Sequence, residues 1–184
     1  MSTPGTVTLP LARARALAEK IVGELAINCE RIEIAGSIRR GRPYCGDIDL
    51  VVLPKKMADI SKILDRCAAN ATLLKRGDQY IVFTLANGFQ LDLWVAHAGG
   101  IGENPDLFDT ELKRVPGNFG VLLLARTGSA MHNVWIAQTA QARGLHFNPH
   151  KGVLRGKEVV ASVEEADIFA ALGLDFIAPE RRER

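Results

Sequence analysis

The stretch Asp47 to Pro54 reads DIDLVVLP, a near-continuous apolar run closed by a proline. That is the pattern of a buried strand, and it commits the chain to a sheet with a covered core. The mouth of the strand nevertheless carries two aspartates. Residues two apart on a strand point to the same face, so Asp47 and Asp49 present their carboxylates together. Two carboxylates side by side repel each other, and a divalent cation offsets that naturally. Mg²⁺ in particular favours one or two carboxylates plus substrate phosphates over a full protein cage.

Around this strand the chain reads as mixed α and β. Leu11 to about Ile27 carries Leu11, Ala14, Leu17, Ala18, Ile21, Val22 and Leu25 at helical spacing. Arg31 to Ile34 alternates like a strand and runs into a loop at Gly36. Met57 to Ala69 reads as an amphipathic helix, and strands follow at Ala71–Leu74, Tyr80–Leu85 and Phe89–Val95. Asn87-Gly88 between the last two is a hairpin signal. From Ala98 to Gly117 the composition shifts to Gly, Pro, Asn and Asp, a long connection with one helical turn. Two helices broken at Thr127-Gly128 come next, then short strand pieces between Leu145 and Val160. A last helix spans Val163 to Leu172 with Ser162 as its N-cap, and the charged tail APERRER is expected to fray.

The expected fold is therefore α+β: a mixed sheet flanked by helices, then a small helical lobe with a short antiparallel sheet. The lobes are expected at residues 1–98 and 119–184, with 99–118 connecting them.

With 184 residues, 47% hydrophobic and 24% charged, the chain is an ordinary soluble composition, and its net charge of +2 neither demands nor excludes nucleic acid. Cys29, Cys45 and Cys67 are odd in number and lack CxxC spacing, which argues against a disulfide framework or a structural zinc. No stretch resembles a signal peptide or membrane span, so a soluble intracellular (cytoplasmic) protein is expected.

A third acid belongs with the first two. In Phe89 to Val95 the residues Phe89, Leu91, Leu93 and Val95 share one face, leaving Asp92 on the other with Gln90 and Trp94. From a neighbouring strand Asp92 can meet Asp47 and Asp49. Three converging carboxylates are what two metal ions need for in-line displacement at phosphorus. Upstream, Gly36-Ser37 offers backbone N–H groups and a hydroxyl to a phosphate, Arg40 adds charge, and Gly46 permits close backbone approach.

The set GSIRRG at 36–41 and GDIDL at 46–50 resembles the palm motif of family X DNA polymerases, the DNA polymerase beta-like nucleotidyltransferases. LDLW around Asp92 is similar to that family's third-carboxylate strand. RTGS at Arg126–Ser129, His132-Asn133, ARGLHFN and the closing IFAALGLDFIAPERRE resemble its thumb. The resemblance runs from about Leu11 to the tail. It implies that Asp47 and Asp49 bind both of two Mg²⁺ ions, for which Mn²⁺ can substitute. Asp92 would bind the catalytic ion and help deprotonate a primer 3′-hydroxyl. It further implies that Gly36, Ser37, Arg40 and Gly46 hold the β- and γ-phosphates, with Cys45 where relatives can have serine. Gly128 and Ser129 would turn beneath the sugar, and Asn133 would contact the incoming base.

Three departures stand out. Ala125-Arg126 replaces an aromatic pair near the sugar. Gln90 and Ala137 stand where arginines are found beside the third acid and on the thumb helix. The lyase domain and helix-hairpin-helix clamps of larger members are not expected before Leu11.

The expected activity is DNA-directed DNA polymerisation that fills short gaps in repair, by a monomer using a nucleoside triphosphate and primer-template or gapped DNA. A ligase or other repair protein is an expected partner. The alternative is template-independent nucleotidyl transfer to a nucleic-acid end or another hydroxyl. A decayed, DNA-binding accessory is a third reading, opposed by the presence of all three acids.

Overall fold

The computed structural model describes residues 7–101 and 114–183. The chain enters through a two-residue strand β1 (Leu9–Pro10) and helix α1 (Leu11–Leu25), whose residues Ala14, Ala18, Ile21 and Leu25 are buried. Strand β2 (Cys29–Ile34) follows. Where the sequence suggested a loop at Gly36, a one-turn helix α2 (Gly36–Arg39) forms instead. Gly36 takes φ +60°, a conformation that starts this turn without the steric cost of a side chain. Strand β3 (Tyr44–Cys45) pairs with β1, and β4 (Asp47–Pro54) is the predicted apolar strand. Helix α3 (Asp59–Ala68), β5 (Ala71–Arg76), β6 (Tyr80–Leu85) and β7 (Gln90–Val95) complete the first lobe.

These strands form one five-stranded sheet in the order β2-β4-β7-β6-β5. Only β4 and β7 run parallel, so the sheet is mixed. Its two faces follow the alternation of the strands. Ile48, Leu50, Val52, Leu91, Leu93 and Val95 form the core with α1 and α3. Val51, Leu53 and Trp94 face the other way, where they pack on Phe119, Leu122 and Leu123.

In the connection, β8 (Gly99–Ile101) and β9 (Arg114–Pro116) pair antiparallel. The helical turn expected there falls outside the described residues. Helix α4 (Phe119–Thr127) is apolar on all sides, which requires burial on all sides. It meets that need by lying between the sheet and a second core formed with α5 (Ala130–Ala142), whose Ile136 and Ala140 are buried there. The small sheet β10 (His146–Asn148), β11 (Gly152–Arg155) and β12 (Glu158–Ala161) and helix α6 (Glu165–Ala171) close that core.

Two local expectations need correction. Ser162 does not cap the last helix. Its hydroxyl donates to the Gly117 carbonyl at 2.7 Å, and the carbonyls of Ser162 and Val163 accept from the N–H groups of Val121 and Gly120. The segment thus satisfies the free donors at the start of α4, and α6 begins only at Glu165. The tail does not fray either, because Arg182 is wholly buried and bonds Glu165 at 2.5 Å. Among the described residues no helix is long and apolar enough to cross a membrane.

Candidate active site

Parallel pairing of β4 with β7 sets Asp49 opposite Asp92 and Asp47 opposite Gln90, so all three acids lie on one face near the start of both strands. The carboxylates are not loose. Trp94 Nε1 donates to Asp49 Oδ1 at 3.2 Å, while Tyr80 Oη and Gln90 Nε2 donate to the two oxygens of Asp92 at 2.8 and 2.7 Å. Burial, then the charge of Asp47, pushes the Asp49 carboxyl up to about 7, although the Trp94 bond and Arg126 pull the other way. Burial and Asp92 likewise raise Asp47, opposed by Arg40. Burial and the bond to Asp92 raise the Tyr80 phenol, so it remains a donor.

A pH dependence follows from the raised Asp49. The native state holds that proton more tightly than the unfolded chain, so the group stabilises the metal-free protein fully below about pH 4. That contribution is lost as pH rises through about 7. Urea unfolding of metal-free protein between pH 5 and 8, compared with Asp49→Asn, should show a fall in stability that the variant lacks.

The start of α2 lies directly against Asp49. A Cβ on Gly36 would meet Asp49 Oδ2 at 2.0 Å, so only glycine lets the loop and the carboxylate share this space. Gly36→Ala is expected to cost about 1–3 kcal/mol and to misplace Asp49, read by urea unfolding together with activity. Ser37 Oγ is buried with no hydrogen-bond partner, which suits it to meet a phosphate oxygen. Gly46 joins β3 to β4 beside Asp47.

Other candidates are engaged elsewhere. Cys45 is fully buried in the core, and its thiol donates to the Arg42 carbonyl at 3.7 Å, so it turns away from the acids. Arg40 donates to the Thr127 carbonyl at 2.7 Å and pairs with Glu183, which also lies 3.6 Å from Arg42. Gly128 links α4 to α5, and Ser129 caps α5 by accepting from the His132 N–H at 3.1 Å. A Cβ on Gly128 would meet Asn133 Oδ1 at 2.8 Å. Asn133 itself reaches back, donating to the Ala125 carbonyl at 2.7 Å, while its Oδ1 is buried without a partner.

The residues that sequence reasoning left out are those that hold the acids and join the lobes. Gln90 and Trp94 were legible as face-mates of Asp92, two residues away on either side. Tyr80 needed the β6–β7 register, which sets it opposite Trp94. Arg39, on α2, donates to Thr127 Oγ1 and closes two-pronged on Glu165 at 2.9 and 2.7 Å. Arg31 similarly grips Glu164 and lies 4.1 Å over the Phe119 ring.

Whether a metal suits the site follows from the donors. All are hard oxygens, aligned on one face of the sheet. Among the described residues no three acid, histidine or cysteine side chains close into a ready-made cage. That is compatible with Mg²⁺, which completes its shell with water and phosphate oxygens. The donor set fits a divalent cation.

A mixed sheet with aligned acids beside the Gly36–Arg39 turn, and a second lobe folded against it, suits a nucleotidyltransferase, and the family profiles support that class. The family profile of the DNA polymerase beta palm matches residues 10–106, and that of the DNA polymerase beta thumb matches residues 122–183. The chain belongs to the DNA polymerase beta family, the family X DNA polymerases. A search of curated proteins finds no match.

Proposed function

We propose that this chain is a DNA-directed DNA polymerase that adds nucleotides to a primer 3′-hydroxyl, filling short gaps in DNA repair. Residues 1–98 would act as the palm, 99–118 as the connection and 119–184 as the thumb. The observation that carries the reading is the parallel register that aligns Asp49 with Asp92 beside Asp47, within reach of the Gly36-Ser37 loop.

Asp47 and Asp49 would hold two Mg²⁺ ions, and Asp92 the one nearer the primer. Bound there, the ions would supply charge neutralisation for in-line displacement at phosphorus. The protein's own part is positioning. Trp94, Tyr80 and Gln90 keep the carboxylates oriented. Asp92 assists removal of the 3′-hydroxyl proton, Ser37 and Arg40 receive the β- and γ-phosphates, and Gly128-Ser129 supports the sugar.

Arg40 has to exchange Glu183 for phosphate in this scheme. Glu183→Gln is therefore expected to tighten binding of inorganic tripolyphosphate about two- to fivefold, roughly the value of a partly exposed ion pair. Calorimetry measures it, and an unchanged affinity would remove Arg40 from the phosphate site.

A second reading is template-independent transfer. It is favoured by the Asn133 amide, which is spent on Ala125 and not offered to a base. One experiment separates the two: incorporation of each nucleotide on gapped DNA and on single-stranded primer, with Mg²⁺ or Mn²⁺. Template-matched addition on gapped DNA supports the polymerase. Equal addition of all four nucleotides to single strands supports the alternative, and no incorporation on either substrate rejects both the polymerase and transfer to nucleic-acid ends.

A further inference from the structure

Behind the carboxylates stands a column of two rings and two cations. Tyr80 and Trp94, opposite one another on β6 and β7, stack with centroids 4.0 Å apart and planes 16° from parallel. Each spends its polar end on an acid, Tyr80 on Asp92 and Trp94 on Asp49. Tyr80 covers one face of the indole, so Arg126 takes the other, its guanidinium carbon 3.6 Å from the ring centroid. Lys75 Nζ lies 5.1 Å from the Tyr80 ring.

Arg126 comes from the last turn of α4, and its Nε is buried without a hydrogen-bond partner. Its charge acts on both Asp49 and Asp92. A guanidinium free to move closes two-pronged on a carboxylate, as Arg39 does on Glu165. Held over the indole, Arg126 lends its charge without a hydrogen bond to the carboxylate oxygens.

We propose that Arg126 is the resident counter-cation of Asp49 and Asp92, a positioning residue that offsets their repulsion without placing its guanidinium on the carboxylate oxygens that would take divalent cations. The inference rests on the metal-binding reading of these acids. The family resemblance does not supply it, since an aromatic residue is what the resemblance leads one to expect at Arg126. The fixed charge has a cost: it opposes entry of the very cations the acids receive. Removing it should tighten metal binding, while keeping the charge and losing the guanidinium should not.

The test is titration of the full chain with Mn²⁺ alone, without nucleotide or DNA, following free Mn²⁺ by electron paramagnetic resonance. Arg126→Gln is expected to bind Mn²⁺ about three- to tenfold tighter, the effect of one nearby unit charge on a dication in a largely hydrated site. Arg126→Lys should stay within about twofold of wild type, and the gap between wild type and Arg126→Gln should narrow as salt is raised. If Arg126→Gln fails to fold, Arg126→Met keeps an apolar stem over the indole and carries the same expectation. Equal or weaker Mn²⁺ binding by the neutral variants overturns the inference, as does equal tightening by Arg126→Lys. Absence of Mn²⁺ binding by the wild type overturns the metal reading of the acids and this inference with it.

Discussion

Asparagine at position 49 or 92 is expected to abolish nucleotide incorporation while leaving the protein folded. Each substitution is nearly isosteric, and in Asp49→Asn the new amide can still accept from Trp94 Nε1 through its carbonyl oxygen. What it loses is the negative charge that would hold a cation against the reacting phosphate. Loss of one electrostatic contact to a transition state costs roughly 10²–10³-fold, and loss of a ligand shared by two ions should exceed that. The metal-free protein should meanwhile unfold at the same temperature or higher, because a repelling carboxylate is gone from beside Asp47. Primer extension and thermal unfolding, measured on the same preparation, check both parts. Retention of about a tenth of wild-type activity by Asp49→Asn, far above that loss, would show that the chemistry does not run through these acids.

The second large effect is expected away from the acids. Glu165 is 7% exposed and sits between Arg39 of the first lobe and Arg182 of the tail, which is wholly buried. Burial raises its carboxyl, but hydrogen bonds from Arg39 and Arg182, and their charges, outweigh that and hold it below the ordinary carboxylate range. Glu165→Ala would strand a buried guanidinium without its counter-charge, a change that costs about 3–5 kcal/mol. Urea unfolding should show it, and Glu165→Gln, which keeps an acceptor, should fall between wild type and alanine. Arg39 belongs to α2, the turn that carries Ser37, so activity should fall before the protein unfolds. A shift below about 1 kcal/mol would mean that the pair behaves as an exposed one and does not fasten the lobes.

Much of this architecture was legible in the residues. Alternation along Phe89 to Val95 separated Asp92, Gln90 and Trp94 from the apolar face, and the strand from Asp47 was evident from its unbroken Leu50 to Leu53. The hairpin shows where such reading ends. A two-residue Asn87-Gly88 loop would pair Ala86 with Phe89 and set Asp92 opposite Phe83. The chain instead closes a three-residue loop, with Leu85 bonded to Phe89 and Gly88 at φ +79°. Asp92 therefore faces Val82, and Tyr80 faces Trp94. One residue of slip would have moved Tyr80 to the wrong face and left Asp92 without its donor.

The sequence by itself determined which residues share a face, because that is a property of strand and helix periods and needs no partner. It also carried the motifs by which the chain's family is recognised. The tertiary structure alone decided what each polar group meets. Arg182 read as part of a fraying tail, and Arg126 as the residue standing where relatives carry an aromatic one. Their roles come from contacts between residues more than a hundred positions apart, such as Arg39 with Glu165, and from the stacking of Arg126 on a ring of another element. Charge and shape at that distance are set by packing, which no local pattern encodes.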